Sequence, residues 1–359
     1  MQALILVGGE ATRLRPLTCN MPKAMVPVCN RPFLEHVIGY LGKHDVRDIV
    51  LAQGHLPQLM VDYFGDGSRF DSKLTHALEA KPMNTAGAVK NAESFLKGRF
   101  YVLNGDIFTD LDISEMLKFH IARRASVTIA LTAVDYPTAY GLIETDQDGR
   151  VKRFLEKPTP EQVTTNMINA GTYILEPHIL NDIPAQTNYS FERQLFPKLL
   201  ARGEPVYAFV SSGYWIDIGT PEKYFQLHSD LLSGTIRGNE LTEGKKVVMG
   251  SQCQIDPGAQ MEGNVLLGDK CIISRGARIS GPVVMGSGTT IAEDSVIQKS
   301  IMWQNVRIGP KVNLDNCLIA NDCEFEESSS AEKSVLGDHI MISRNTRLGT
   351  NSRIWPMSK

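Results

Sequence analysis

The sequence predicts an α/β protein in two parts, a doubly wound mixed sheet followed by a parallel β-helix. Three observations carry this expectation. Short apolar runs alternate with amphipathic stretches over the first 235 residues, helices thin out after Pro137, and from Met249 onward an aliphatic residue falls at every sixth position. Strand–helix alternation means a largely parallel sheet with helices on both faces. A period of six belongs to neither a helix nor a flat strand.

Taken in order, Ala3–Val7, Ile49–Gln53, Lys73–Leu78, Phe100–Leu103 and Ser126–Val134 read as strands, short, partly β-branched and bounded by Gly, Asn or Asp. Between them Phe33–Lys43, Leu56–Phe64, Ala86–Leu96 and Ile113–Arg124 carry apolar residues at helical spacing. Asp112 with Glu115 reads as a capping box opening the last of these. Beyond Pro137, Gly141–Thr145, Arg150–Leu155, Asn169–Leu175 and Pro205–Val210 extend the sheet, and a helix over Glu222–Leu232 closes the domain. The expected division is a Rossmann-like domain over 1–235, a linker over 236–247 and a β-helix over 248–359.

Met249, Ile255, Met261, Leu267, Ile273, Ile279, Met285, Ile291 and Ile297 are nine consecutive hits at the period of six, and Gly250, Gly268 and Gly286 recur every 18 residues. This is the hexapeptide signature of a left-handed parallel β-helix with three short strands per coil. Val306, Val312, Leu318, Leu336, Ile342, Leu348 and Ile354 continue it after a phase shift of three, which predicts a small insertion near Met302. Glu324 and Ser330 then fall on apolar slots, so Glu324–Glu332 is expected to be bulged or looped out. Cys253 and Cys271, 18 apart, should stack about 4.8 Å apart on neighbouring coils. Two reduced small residues fit there better than a disulfide, since nothing else points to an oxidising compartment.

Hydrophobic residues make up 42% and charged residues 21%, ordinary for a folded protein with a full core. A net charge of −3 leaves no basic excess for binding nucleic acid. No apolar run approaches the roughly 18 residues of a membrane span, and Met1–Val7 runs without a basic flank into Gly8-Gly9, as a buried strand does. The six cysteines form no CxxC pair, so neither a disulfide framework nor a zinc ribbon is indicated. A cytoplasmic protein without nucleic-acid or membrane partners is expected.

Several segments carry chemistry. Gly8-Gly9 after the first strand can turn backbone N–H groups into an anion nest, and Arg13, Arg15 and Lys23 concentrate positive charge within sixteen residues. The pattern is neither a Walker A loop nor a GxGxxG fingerprint. Asn104-Gly105-Asp106 ends the fourth strand, at the edge where open α/β sheets bind ligands. A carboxylate there suits Mg²⁺, although Asp106 alone reads equally well as a turn residue. Asp110 and Asp112 read as turn and cap residues. Glu156-Lys157-Pro158, Asn169-Ala170-Gly171 and the stretch from Gly213 to Pro221 each put polar residues at the end of an apolar run.

The ordered series GGEATRLRPLT, PKAMVPV, NGDI, EKP, NAGTYIL and GYWIDIGTPEKY resembles the sugar-1-phosphate nucleotidylyltransferases. NAGTYIL, FERQLFPKLL, GYWIDIGTPEKY and the hexapeptide tail look most like the mannose-1-phosphate guanylyltransferase branch. The resemblance implies transfer of a nucleotidyl group from a nucleoside triphosphate to a sugar 1-phosphate with release of pyrophosphate, GTP and mannose 1-phosphate giving GDP-mannose. It implies that Arg13 and Lys23 contact the triphosphate and that Asp106 and Asp217 bind Mg²⁺. Lys157 would grip the sugar phosphate, and Gly141, Glu156 and Asn169 would meet the sugar. Gly8, Gly9, Thr12, Thr85 and Gly87 would line the nucleotide. Family members commonly have glycine where this chain has Ala11; if φ is positive there, alanine costs of order 1 kcal/mol.

Other readings stand beside this one. The same reaction with glucose 1-phosphate and UTP or dTTP uses the same motifs. A regulatory subunit that binds sugar nucleotides with weak catalysis would be signalled by loss of Lys23, Asp106 or Asp217, and all three are present. An acyltransferase β-helix relies on a surface histidine, for which only His339 is available in the tail. A homo-oligomer to which the β-helix contributes is expected, since a solenoid presents long faces.

Overall fold

The computed structural model describes residues 1–236 and 244–356. Residues 237–243 of the expected linker and the last three residues lie outside the described residues. The chain packs as two compact units, Met1–Gly9 with Leu34–Ile216, and Glu10–Phe33 with Asp217–Lys359.

The first unit is built on β1 (Gln2–Leu6), whose side chains are almost all buried because both faces of the strand are covered. There follow α1 (Phe33–Lys43), β2 (Asp48–Gln53), α2 (Pro57–Phe64), β3 (Lys73–Leu78), α3 (Asn84–Asn91), β4 (Phe100–Asn104), β5 (Ile107–Thr109) and α4 (Ile113–Ala122). Then come β6 (Val127–Ala133), β7 (Gly141–Thr145), β8 (Val151–Glu156), β9 (Met167–Leu175), α5 (Phe196–Ala201), β10 (Val206–Val210) and β11 (Trp215–Asp217), after which α6 (Pro221–Ser233) belongs to the second unit. Among the described residues nine strands form one sheet in the order β8-β7-β9-β4-β1-β2-β3, with β6 paired to both β9 and β10. Ile5 lies beside Leu51 and Leu103 in parallel register, while β9 runs antiparallel to β4. The sheet is doubly wound and mixed, as its sequence pattern requires.

Some boundaries differ from expectation. The helix expected over Ala86–Leu96 runs only over α3 and is followed by a separate turn, Glu93–Phe95. Its last residue, Asn91, turns its side-chain amide onto Leu78 O. Asp112 caps α4 by accepting from Ser114 N and Glu115 N, but the box is one-sided, because the Glu115 carboxylate takes Lys118 instead. Helix α5, entered through a wide turn over Phe191–Leu195 that Ser190 caps, is an element the periodicity did not signal.

The β-helix, in the second unit, has three faces of parallel strands. Val265 lies over Val247 and Val283 over Val265, a coil of 18 residues. From there Val284 pairs with Ile301, Ile301 with Leu318 and Leu318 with Val335, coils of 17. The last step, Val335 to Arg353, is 18 again. The irregularity in the period is therefore one residue lost per coil, not an insertion near Met302. The inward positions run through Met302, Ile308, Leu314, Ile319, Phe325, Ala331 and Leu336, all buried. Glu324–Phe325 and Ser330–Glu332 are regular strands, which overturns the looped-out coil expected over Glu324–Glu332. By this coil only two of the three residues have been lost, so the inward position is Phe325 and not the Glu324 that a full shift of three would give.

Two residues before most inward positions the chain carries a Cys, Ser, Thr or Ala, and this explains the cysteines of the β-helix. Cys253 Sγ donates to Gly268 O at 3.1 Å, Cys323 Sγ to Gly337 O at 3.0 Å and Ser295 Oγ to Gly309 O at 2.8 Å. Cys253 and Cys271 are both free thiols, and burial pushes Cys271 up to about 11. Gly250, Gly268 and Gly286 recur because coils approach too closely for a side chain; a Cβ on Gly268 would lie 2.5 Å from Ser287 N. Gln252, Lys270, Asn305, Asp322 and His339 repeat a left-handed corner with φ of 57–60°. His339 is thus a corner residue, its Nδ1 3.7 Å from Asp322 Oδ2.

Phe325→Ala is expected to cost about 3–5 kcal/mol, whereas Glu324→Ala stays within about 0.5 kcal/mol. Denaturation of the two variants checks this; equal effects would restore the original phase.

Candidate active site

In the first unit, β1 runs out at Gly8, where backbone crosses backbone. A Cβ on Gly8 would lie 2.8 Å from Glu79 Oε1 and 3.2 Å from Gly54 N, and His55 N donates to Gly8 O. Glu79 is fixed by Met83 N, which donates to Oε2 at 3.0 Å, and burial raises its carboxyl pKa. Gly9 has open space around its Cα. At the end of the neighbouring β4, Gly105 sits so close to β1 that a Cβ would meet Val7 Cγ1 at 2.5 Å and Leu6 O at 2.6 Å. This close approach puts half-buried Asp106 in the tight turn between β4 and β5, at the carboxyl edge of the sheet. Asp110 is a turn residue, as read from the sequence, its carboxylate accepting from Tyr214 N at 2.6 Å.

A second cluster in this unit gathers the residues expected to meet the sugar. Gly141 faces Glu156, a Cβ there lying 3.0 Å from Glu156 Oε2. Burial, and then the neighbouring Glu192, raise the Glu156 pKa, with Lys157 and Arg193 pulling it down. Asn169 Nδ2 donates to Tyr173 OH at 2.8 Å and its Oδ1 accepts from Gly171 N at 3.0 Å. Tyr173 OH donates to Glu192 Oε1 at 3.4 Å, while Glu192 Oε2 accepts from Thr85 Oγ1 and Ser190 Oγ. The network ties Thr85 to Asn169 through Tyr173 and Glu192. Gly87 is buried, with Thr187 O 2.4 Å from where its Cβ would stand, so its smallness serves packing of α3 on the 187–189 segment. Lys157, exposed at the end of β8, adopts φ 50°, with its N–H on Tyr140 O.

The second unit holds the basic segment. Thr12 opens the short turn Thr12–Leu14 and Lys23 opens another over Lys23–Met25. Ala11 takes φ 49° and ψ 45°, the left-handed conformation that glycine adopts freely, and Thr18 Oγ1 holds Ala11 O at 2.9 Å. Arg15 pairs with Glu10 at 3.4 Å. Asp217 is buried, its Oδ1 accepting from Gly219 N at 3.0 Å and its Oδ2 from Lys223 Nζ. Gly219 leaves room for Arg13, whose Nη2 would lie 2.9 Å from a Cβ there. The structure therefore brings Arg13, Asp217 and Lys223 together around Gly219. Asp106 belongs to the other unit.

Sequence reasoning missed Glu79, Tyr173, Glu192 and Lys223. Tyr173, Glu192 and Lys223 lie inside motifs that were read as strings, NAGTYIL, FERQLFPKLL and GYWIDIGTPEKY; Glu79 follows a strand with no motif around it. Among the described residues no group of three or more His, Cys, Asp or Glu could hold a metal ion by itself. A carboxylate pair remains sufficient for Mg²⁺, which keeps several water or phosphate ligands. Asp217 fits such a cation, since it already offers a carboxylate oxygen to an ammonium group. No helix among the described residues is long and apolar enough to cross a membrane.

Residues 2–234 match the nucleotidyl transferase family, and residues 262–355 match the EIF2B subunit epsilon LbH domain, a left-handed β-helix. The chain is 37% identical to a mannose-1-phosphate guanyltransferase of Eremothecium gossypii, over 96% of this chain and 98% of that one. It is 32% identical to a UTP–glucose-1-phosphate uridylyltransferase of Synechocystis, over 89% and 87% of the two chains. HddC from Yersinia pseudotuberculosis, solved with GMP-PN, superposes with a TM-score of 0.56 at 32% identity, over 63% of this chain and 97% of its own.

Ala11→Gly removes a left-handed alanine at the cost of a floppier unfolded chain. It is expected to stabilise by up to about 1 kcal/mol. Chemical denaturation reads the change; a destabilisation of the same size would mean that the loop does not adopt this conformation.

Proposed function

Because this chain belongs to the nucleotidyl transferase family, and is an enzyme of that kind, we propose that it joins GTP to mannose 1-phosphate, forming GDP-mannose and releasing pyrophosphate. The observation that carries the choice of base is Glu79. Its carboxylate stands beside Gly8, at the strand end expected to line the nucleotide. Guanine alone among the common bases offers adjacent N1–H and N2–H₂ donors, which a carboxylate accepts as a pair. The Eremothecium relative, similar along nearly its whole length, supports the sugar. The Synechocystis relative favours a second reading, UTP with glucose 1-phosphate.

A sugar phosphate oxygen attacks the α-phosphorus in line; the new P–O bond forms as the bond to the β-phosphate bridging oxygen breaks, and pyrophosphate leaves with that electron pair. The nucleophile is already an anion, so no general base is needed. The residues must instead bring two polyanions together and stabilise charge. Arg13 and Lys23 bind the triphosphate, and Lys157 the sugar phosphate. Gly8, Gly9, Thr12 and Thr85 line the nucleotide, with Gly87 packing α3 behind them rather than meeting it, while Gly141, Glu156 and Asn169 meet the sugar hydroxyls, with Tyr173 and Glu192 orienting Asn169. The family generally uses a divalent metal. Here Asp106 and Asp217 would hold Mg²⁺, which supplies Lewis-acid stabilisation of the transferring phosphate. Lys223, now on Asp217, neutralises that buried carboxylate.

Residues 1–235 form the catalytic domain in this reading, 236–247 the connection and 248–359 a β-helix that takes part in homo-oligomer assembly, all in the cytoplasm.

Pyrophosphate release with Mg²⁺, crossing the common nucleoside triphosphates with mannose and glucose 1-phosphates, should peak at GTP with mannose 1-phosphate; silence across the grid from folded protein would favour a regulatory subunit. Asp106→Asn and Asp217→Asn should each lower turnover by roughly 10²–10³-fold with the fold intact. Glu79→Gln should shift preference from GTP toward UTP by on the order of tenfold or more. An unchanged base preference removes Glu79 from the base site.

A further inference from the structure

We propose that Arg353 and Asp338, on the last coils of the β-helix, are positioning residues for the loop that carries Arg13 and Lys23. Strand Arg353–Ile354 pairs in parallel with Val335–Leu336, which brings Arg353 to the same end of the solenoid as Asp338. Arg353 Nη1 donates to Arg15 O at 3.1 Å and to Arg13 O at 3.4 Å. Asp338 is buried and accepts from Asn20 Nδ2 at 3.2 Å through Oδ2. Its other oxygen is held from behind by Asn321 N at 3.1 Å and Asn321 Nδ2 at 3.0 Å. The loop is thus held on both sides of its basic turn, at Arg13 and Arg15 by one β-helix residue and at Asn20 by another.

The loop needs such supports. Between Glu10 and Met25 its regular structure is limited to the short turns Thr12–Leu14 and Lys23–Met25 with isolated turn bonds between them, and it contains Ala11 in an uphill conformation. Backbone held in a sparsely populated region persists only when its surroundings over-determine it. Arg353 reaches the carbonyl of Arg13 itself, so the peptide that sets the aim of the Arg13 side chain is anchored in the solenoid. What the loop then meets, a nucleoside triphosphate, rests on the reading above. The anchoring itself does not.

The test uses the full-length protein with Arg353→Met, which keeps the stem and removes the donor, and Arg353→Lys, which restores a donor with several hydrogens. Asp338→Ala removes the second support by different chemistry. Amide exchange over residues 10–20 and the KM for GTP (or its Kd where no turnover is found) are read beside the thermal midpoint. Arg353→Met and Asp338→Ala are expected to speed loop exchange and raise the GTP KM by on the order of tenfold, the loss of one charge-assisted hydrogen bond. The KM for mannose 1-phosphate should stay unchanged in both variants and the thermal midpoint unchanged in Arg353→Met, whereas Asp338→Ala also leaves Asn321 without its acceptor and lowers the midpoint; Arg353→Lys should recover most of both losses of Arg353→Met. Wild-type exchange in Arg353→Met overturns the anchoring. Faster exchange with an unchanged GTP constant overturns the positioning role and leaves a structural contact only. A wild-type protein silent on every substrate pair counts against the substrate reading, while the exchange and Kd arms still decide the proposal.

Discussion

The hydroxyl of Tyr224 joins three pieces of chain that are far apart in sequence. It lies wholly buried on α6, donates to Pro27 O in the loop after β1, and accepts from Trp303 Nε1 in the β-helix at 2.9 Å. A buried hydroxyl is tolerated only when its hydrogen-bonding capacity is used, and the indole N–H has the same requirement. Burial holds the Tyr224 phenol well above its ordinary pKa, so it remains a neutral donor. One turn along α6, His228 Nδ1 accepts from Cys29 N at 3.3 Å, and the Tyr224 and His228 rings meet edge to face at 4.6 Å. Asn30 Nδ2 adds a bond to Met285 O at 2.9 Å. Helix α6, the small antiparallel hairpin Pro27–Val28 with Arg31–Pro32, and the solenoid are thereby one polar-locked core, and the basic loop is part of it.

The chemistry divides along physical lines. The first unit supplies a sheet edge, glycines that let strands approach, and a hydrogen-bonded network of Glu156, Asn169, Tyr173, Glu192 and Thr85 suited to reading hydroxyl groups. The second supplies Arg13, Lys23, Asp217 and Lys223, suited to phosphate and its counter-ion. Hydroxyls and bases are read by directional hydrogen bonds, which rigid strands and their ends position well. Phosphates are bound by concentrated cationic charge, which a loop can deliver only if something stiff lies behind it. Here that backing is a solenoid whose coils are stitched by inward thiols and hydroxyls onto the carbonyls of the next coil.

Much of this was legible in the sequence. Periods of two, 3.6 and six residues report backbone geometry directly, so the sheet, its helices and the β-helix could be placed from apolar spacing alone, and the turn aspartates Asp110 and Asp112 from their neighbours. Reading the period of six failed where the structure removes one residue per coil. A sequence count cannot distinguish a three-residue insertion from a repeated one-residue deletion, because both shift the same aliphatic positions. Only coil-on-coil pairing, Phe325 over Ile308 rather than Glu324, tells them apart.

The candidate site shows the same limit. Motifs singled out Asp106, Glu156 and Asp217 at the ends of strands, Asn169 inside one, and Arg13 and Lys23 as cations in the loop that follows the first strand. They did not identify Glu79, Glu192 or Lys223, whose positions depend on which segments fold back on one another. By itself the sequence determined the elements, their order and the residue types able to bind phosphate, because those follow from local spacing and charge. The tertiary structure alone decided that the loop of residues 10–33 packs with the β-helix. That outcome rests on long-range satisfaction of buried polar groups, Tyr224 with Trp303 and Pro27 foremost, and no local pattern encodes such partners.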